Sequence, residues 1–304
     1  MSWKNLKILA IAILFVVDVF FFFSIAERNH ATRYYPDSLI ESANAVFRES
    51  NLYVDRSILS ARIVTMPAYE GNASYDELPF VATMRDAVYT RRQETSGVRF
   101  IGEDGEFFFG NDFSFFYFDP TSSDRPSILL EGEDYVLSEQ SVRTDAVKNT
   151  VEAFLAEWSL LPNGGRYTYA FETDTFYVSE DHYIVHMTQS IGGYEIGDGL
   201  YFLVAQGRVL AADGVFVPFG VETRMRADTV GIMDVFLSEK KYLDDSYRAS
   251  GEVSRKNMVL AGVSYAYQPY FDTNGELYLV PVCTVRYTDG ETRRYNFVSG
   301  KMLP

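Results

Sequence analysis

The chain has 304 residues, with 27 Lys and Arg against 42 Asp and Glu, and a formal net charge of −15. It is 47% hydrophobic and 16% aromatic, too apolar for a disordered chain, and its acidic balance argues against sequence-independent nucleic-acid binding, which needs a field of Lys and Arg. The single cysteine, Cys283, excludes an intramolecular disulfide framework and a multi-cysteine metal site, and three histidines (His30, His182, His186) leave little imidazole for metal binding or acid–base chemistry.

Ile8 to Ala26 is a run that is apolar except for Asp18 and Ser24. As a helix it spans about 28 Å, close to the hydrocarbon thickness of a bilayer. Trp3, Lys4 and Lys7 precede it, and Arg28 and Arg33 follow it. The basic flanks tie, and the α-amino group tips the balance towards an N-terminus held inside. Asp18 lies near the middle of the span, where a carboxylate costs about 2.5–3.5 kcal/mol and ordinarily faces a partner helix or a cavity. Its two readings are an interhelical contact with another membrane protein, or a protonated or snorkelling acid tolerated beside Phe20–Phe23. Ser24-Ile25-Ala26 also fits a small-x-small cleavage pattern, so a cleaved signal peptide is the rival to an uncleaved anchor. The run is longer than a usual signal-peptide core of about 7–15 residues.

The remainder reads as helices followed by aromatic strands. Asp37 after Pro36 opens a stripe of Leu39, Ala43, Val46 and Phe47. Leu78 to Arg92 forms a weaker helix with Pro79 in its first turn. Thr144-Asp145 opens Val147, Val151, Phe154, Leu155 and Trp158. Asp228-Thr229 opens Val230, Met233 and Leu237. Ser, Thr and Asp suit such starts because their oxygens accept the free first-turn N–H groups. Strands are expected over Val98–Phe118, broken at Gly105 and Gly110, then over Tyr167–Val178, Tyr183–Ile191, Gly199–Ala205 and Arg208–Pro218. Near the C-terminus they follow at Val259–Tyr270, Glu276–Tyr287 and Thr292–Val298, with turns at Gln206-Gly207, 272–275 and Asp289-Gly290. The fold class is α+β, a single N-terminal transmembrane helix followed by antiparallel sheets each packed with a helix, in repeated helix-then-sheet units. The expected segments are a cytoplasmic tail (1–7), the span (8–26), a first domain (27–140) and a second (141–304), with sub-repeats 141–226 and 227–304 as one division of the second.

Chemical motifs are sparse. No nucleophile elbow, phosphate-binding loop or zinc-protease motif occurs. His182 and His186 on a strand would share a face about 13 Å apart, too far for one metal. Gly192 to Gly199 reads as a turn, since a phosphate cradle needs a following helix. The stretch from Asp272 resembles the start of a calcium loop, but Cys283 stands where the bidentate Glu belongs. Cys283 reads as a core residue, and Glu103-Asp104, Glu131–Asp134 and Asp244-Asp245 as solvated turns. The residues thus give no catalytic, cofactor or metal site. A carboxylate pair for glycoside hydrolysis stays open, because spatial separation is not visible in sequence.

Met1-Ser-Trp-Lys-Asn-Leu-Lys-Ile and Val16-Val-Asp-Val-Phe resemble the start of the YycI branch of the YycH/YycI family. Leu260–Tyr267, Leu279–Val285 and Tyr295–Lys301 resemble that family's closing strands, and Gln189–Val204 resembles the hairpin it shares with PepSY-like domains. The likeness covers 1–26 and about 141–304 and departs at Cys283, where the family usually has an aromatic residue, and at Asp18, near which members often carry Asn. It implies a bacterial, non-enzymatic, single-pass regulator held by membrane lipid through 8–26, with its C-terminal domain extracellular. Its implied partners are a WalK-like sensor histidine kinase of a cell-wall-controlling two-component system and a YycH-like membrane protein, contacted through ectodomain and span, with Asp18 as the transmembrane interaction residue. The alternative is a PepSY-like envelope module that binds or inhibits a secreted peptidase or wall enzyme. A third reading is a wall hydrolase. Asp18→Leu is expected to leave the domains beyond the span folded while lowering recovery of a membrane complex, measured by co-purification in mild detergent; undiminished recovery removes Asp18 from the interaction.

Overall fold

The computed structural model describes residues 34–71, 79–121, 136–137, 144–160, 170–178, 182–217, 224–225, 229–251, 256–271 and 276–303. The expected span 8–26 with Asp18 lies outside them, as do the 272–275 turn and the acidic stretch 131–134. Among the described residues no helix is long and apolar enough to cross a membrane.

The elements in chain order are α1 (Asp37–Arg48), β1 (Leu52–Tyr53), α2 (Arg56–Ser60), β2 (Tyr69–Gly71), α3 (Pro79–Asp86), β3 (Thr90–Glu94), β4 (Gly97–Gly102), β5 (Gly105–Gly110), β6 (Ser114–Phe118) and β7 (Val136–Leu137). They continue as α4 (Thr144–Glu157), β8 (Ala170–Val178), β9 (His182–Ile191), β10 (Tyr194–Ala205), β11 (Arg208–Val215), β12 (Arg224–Met225), α5 (Ile232–Ser250), β13 (Met258–Phe271), β14 (Leu277–Tyr287) and β15 (Thr292–Asn296). The protein is mixed α+β, dominated by sheet. Three times a helix precedes a run of strands: α3 before β3–β6, α4 before β8–β11, and α5 before β13–β15.

Compactness divides the chain into two units, one of residues 1–66, 229–264 and 283–304, the other of residues 67–228 and 265–282. This groups the residues differently from the consecutive segments 27–140 and 141–304, because β13 and β14 each contribute residues to both units.

The second unit is built on an antiparallel run in the order β3-β4-β5-β6-β11-β10-β9-β8-β7. Alternation along β4–β6 puts Phe100, Phe107, Phe109, Phe115 and Tyr117 on one buried face. Two helices cover that face. Phe80 of α3 stacks on Phe109 at 4.1 Å, and Phe154 and Trp158, one turn apart around the end of α4, meet Tyr117 at 4.7 Å and Phe107 at 5.0 Å respectively. On the opposite face Arg99 lies over Phe108 at 5.1 Å and pairs with Glu94 and Glu106. Farther along, Ile184, Leu203 and Ala211 form a separate buried cluster with Phe118 against it.

The glycine-rich stretch does more than turn. Gly192 and Gly193 (φ 62° and 82°) close the β9–β10 hairpin, but β10 begins at Tyr194 and carries a bulge between Ile196 and Leu200. Gly199 has φ 80°, and a Cβ there would come within 2.7 Å of the Met187 carbonyl, so only glycine fits. His186 lies 2.8 Å from the Asp198 carbonyl through Nε2 and stacks on Tyr201, which places it in the bulge's support. Gln189, fully buried, accepts a hydrogen bond from Val217 N–H at 2.7 Å and donates to its carbonyl at 3.1 Å.

In the first unit, Phe47 of α1 meets Phe236 of α5 edge-on at 5.8 Å. The face of α1 that packs is Ile40 and Phe47, and the expected stripe is off by part of a turn, since Leu39 and Val46 are 46% and 37% exposed. Pro36, not Asp37, is the N-cap, and Asp37 accepts a hydrogen bond from Arg56 instead. The last of the expected helices starts later than Asp228-Thr229. Gly231 is the N-cap of α5, Asp234 accepts the Gly231 N–H, and Thr229 Oγ1 accepts Met66 N–H at 3.1 Å. On this helix Leu237 is exposed, whereas Val235 and Phe236 are buried. The expected helix to Arg92 stops at Asp86. Tyr89 N–H closes it on the Met84 carbonyl, Val88 takes φ 61°, and Thr90–Glu94 pair with β4 as a strand. Asp244 and Asp245 lie on α5 rather than in a turn, and Asp244 accepts Ser50 Oγ and Lys240 Nζ at 2.7 and 2.8 Å.

One buried ionic group stands out in this unit. Glu239 is fully buried on α5 and accepts hydrogen bonds from Arg293 and Tyr295 of β15. Burial raises its carboxyl above the usual range, against the lowering pull of Arg293. Cys283 is also fully buried, and burial pushes its thiol up to about 12, so it stays protonated at neutral pH.

Two substitutions separate satisfied from unsatisfied buried polar groups. Gln189→Leu strips Val217 of both partners and is expected to cost about 1–3 kcal/mol for each backbone group left unpaired. Tyr89→Phe removes a buried hydroxyl that has no hydrogen-bond partner among the described residues, so its expected change is zero or a gain of up to about 1 kcal/mol. Urea unfolding followed by circular dichroism checks both; a Tyr89→Phe loss as large as that of Gln189→Leu contradicts the assignment.

Candidate functional site

Within the second unit a cleft of about 610 Å³ opens beside α4 and the ends of β6, the β4–β5 hairpin and the β10–β11 hairpin. Each contributor follows from local sequence. Ala146, Asn149, Thr150 and Ala153 form a small, polar stripe along α4, next to the apolar stripe that packs on the sheet. Glu103-Asp104 is the β4–β5 turn. Asp119 follows β6, held in place by its N–H to the Leu210 carbonyl at 2.8 Å. Arg208 begins β11 directly after the Gln206-Gly207 turn (φ 51° and 73°).

The floor is aromatic and the rim acidic. Tyr117, Phe154 and Trp158 line it with their buried rings, while Glu103, Asp104 and Glu157 reach it from exposed positions. Asp119 is buried. Its Oδ1 accepts both the Thr121 N–H and the Thr121 hydroxyl, at 2.8 and 2.6 Å, whereas Oδ2 has Arg208 Nη1 at 3.8 Å. Arg208 is the basic residue of the lining, and its side chain is 58% exposed. Glu157 stands in the last turn of α4, where backbone carbonyls already concentrate negative potential and a cation is the favoured residue.

Two phenols register the resulting field. Tyr89, edge-on to Trp158 at 5.4 Å, is pushed up to about 12 by burial and then by Asp104, Glu157 and Asp119. Tyr117 is raised too, by burial first, then by Asp119, Tyr89 and Glu157, with Arg208 acting against them. The arrangement suits a cation that also offers apolar surface: carboxylates neutralise the charge and aromatic rings cover the stem.

Of the positions singled out in sequence, Glu103 and Asp104 belong to this cleft, and they do form a turn as expected. Asp18 lies outside the described residues. His182 and His186 share β9, with His186 committed to the Asp198 carbonyl. Among the described residues no group of three His, Cys, Asp or Glu side chains is placed to hold a metal ion. Sequence reading missed Asp119, Glu157 and Arg208, which converge only through tertiary pairing; the one local signal was an acid without a basic neighbour in the last turn of α4.

No family model matches the chain, and no curated protein matches it. Solved structures do match. An uncharacterized protein from Eubacterium rectale ATCC 33656 shares 11% identity over 83% of this chain and 89% of its own, with a TM-score of 0.45. The Bacillus megaterium YpeB C-terminal domain shares 10% identity over 89% of this chain and 96% of its own, with a TM-score of 0.28.

Proposed function

We propose that the chain is a membrane-anchored regulatory protein of the bacterial envelope that acts by binding rather than by turnover. In this reading residues 8–26 span the membrane, the two units lie outside the cell, and a WalK-type sensor kinase with a YycH-like protein are the partners. The resemblance of residues 1–26 and of the C-terminal strands to the YycH/YycI family supports the identity of the partners. The observation that carries the binding role is the cleft beside α4. Its buried carboxylate, Asp119, is oriented by two hydrogen bonds from Thr121 to Oδ1, beside the exposed acids Glu103, Asp104 and Glu157. A regulator of this kind biases a kinase only through contacts that differ between the kinase's two states.

Affinity purification of the full-length chain from mild-detergent membranes, beside a secreted form beginning at Glu27, tests the reading. Recovery of a sensor kinase and a second single-span protein, lost on truncation, is the expected outcome. Recovery of a secreted peptidase or wall enzyme by both forms instead favours a PepSY-like inhibitory module, and release of sugar fragments from peptidoglycan by either form overturns the non-enzymatic assignment.

A further inference from the structure

We infer that Tyr35 is a latch: its hydroxyl caps the N-terminus of α5 from outside that helix, and so joins the chain that follows the expected span to the first unit. The inference deepens the regulatory reading above by naming the joint through which a displacement of residues 8–26 reaches the folded part. The capping itself does not depend on that reading.

The need arises at the helix start. The first-turn N–H groups of an α-helix have no partner within it. Gly231, the N-cap of α5, has no side chain to accept them. Thr229, two residues earlier, is committed to the Met66 N–H at 3.1 Å. Asp234 is committed as well, since its carboxylate accepts the Gly231 N–H at 3.0 Å. Yet Ile232 and Met233, the first two residues of α5, are buried, where water is a poor substitute for a missing acceptor.

Tyr35 fills this gap, within the same unit but from far away in sequence. Its hydroxyl accepts hydrogen bonds from the Met233 and Ile232 N–H groups. A Cβ at residue 231 would collide with that hydroxyl oxygen, so the side chain missing from the N-cap is the space that Tyr35 uses. Burial raises the phenol above its usual range, against the lowering pull of the Met233 N–H, so the group stays neutral and accepts through its oxygen lone pairs.

Position makes this cap a joint. Tyr35 stands directly before Pro36, the N-cap of α1, whose carbonyl accepts the Leu39 and Ile40 N–H groups at 3.0 and 3.1 Å. It lies nine residues beyond Ala26, a reach of at most about 32 Å. One tyrosine thus holds together the starts of α1 and α5, and α5 carries the buried Glu239. A pull that withdraws the hydroxyl uncaps α5 while leaving its apolar face packed.

Amide hydrogen exchange of the full-length chain in detergent micelles, read by mass spectrometry, tests the latch. Tyr35→Phe is expected to speed exchange at Ile232 and Met233 about three- to tenfold, the loss of roughly one hydrogen bond, with peptides over β14 and β15 unchanged. Tyr53→Phe removes a hydroxyl from an exposed position of the same unit and is expected to change neither. Gly231→Ser is expected to cap α5 with its own hydroxyl while displacing Tyr35, so that Met233 stays protected and exchange quickens at Leu39 and Ile40 instead. Tyr35→Phe combined with Gly231→Ser is expected to return Met233 to its original protection. Unchanged exchange at Ile232 and Met233 in Tyr35→Phe overturns the inference. So does failure of Gly231→Ser to restore Met233 in that background, or unchanged exchange at Leu39 and Ile40 in Gly231→Ser alone. No kinase enters the measurement. A latch found beside a failed co-purification refutes the regulatory reading alone, and a complex recovered from a chain whose α5 ignores Tyr35→Phe refutes the latch alone.

Discussion

The aromatic face of β4–β6 is the constraint on which the second unit depends. Phe100, Phe107, Phe109, Phe115 and Tyr117 cannot remain in water, and each fully buried side chain of this size is worth about 1.5–3 kcal/mol. Covering them requires two helices from opposite sides of the sheet segment in sequence, α3 before it and α4 after it. Phe107 sits at the junction, touching Tyr89, Tyr117, Phe154 and Trp158. The same packing sets the cleft. Because Phe154 and Trp158 must face the sheet, Glu157 and the small residues of the neighbouring stripe face the gap between α4 and the hairpin ends. The acidic rim is therefore held by the hydrophobic core and needs no separate framework.

The first unit is organised instead around a buried charge. Glu239 takes its partners from β15, whereas the helix that carries it packs through Val235 and Phe236. A buried ionic arrangement of this sort adds little net stability compared with apolar packing but penalises any misalignment of its members heavily. Here it fixes the rotation of α5 against β15, the parameter that left Leu237 outside and Phe236 inside. Arg293 also lies over Tyr242 at 4.7 Å and binds Glu291, so one guanidinium ties the helix to two positions of the hairpin that ends the chain.

Much of the secondary structure was legible because strong local rules agreed. The glycines and aromatic alternation of 98–118 gave three strands, Gln206-Gly207 and Asp289-Gly290 gave their turns, and every apolar residue named on α4 is buried. Misreadings arose where a local rule met a tertiary one. Asp37 looked like a cap but is drawn to Arg56; Thr229 looked like a cap but binds the Met66 backbone. Leu39 and Leu237 satisfied a helical stripe yet lie outside, since the partner surface, invisible in a single helix, chose the adjacent face. The glycines at 197 and 199 appeared to belong to a turn because a bulge borrows the same residues. The cleft was the least legible feature: its acids come from a β-turn, a strand end and a helix end, and nothing in their spacing relates them.

The way β13 and β14 divide their residues between the two units has a consequence for how the chain is made. The second unit needs 265–282 and the first needs 229–264 and 283–304, so neither closes while the polypeptide is still emerging N-terminus first. Leu52 pairs with Met258, and β2 pairs with β14, contacts of long sequence separation that carry a large loop-closure cost before any return. The β4–β6 meander, by contrast, is entirely local and is available early. The strands β4–β6 therefore leave the ribosome well before the C-terminal strands that both units include.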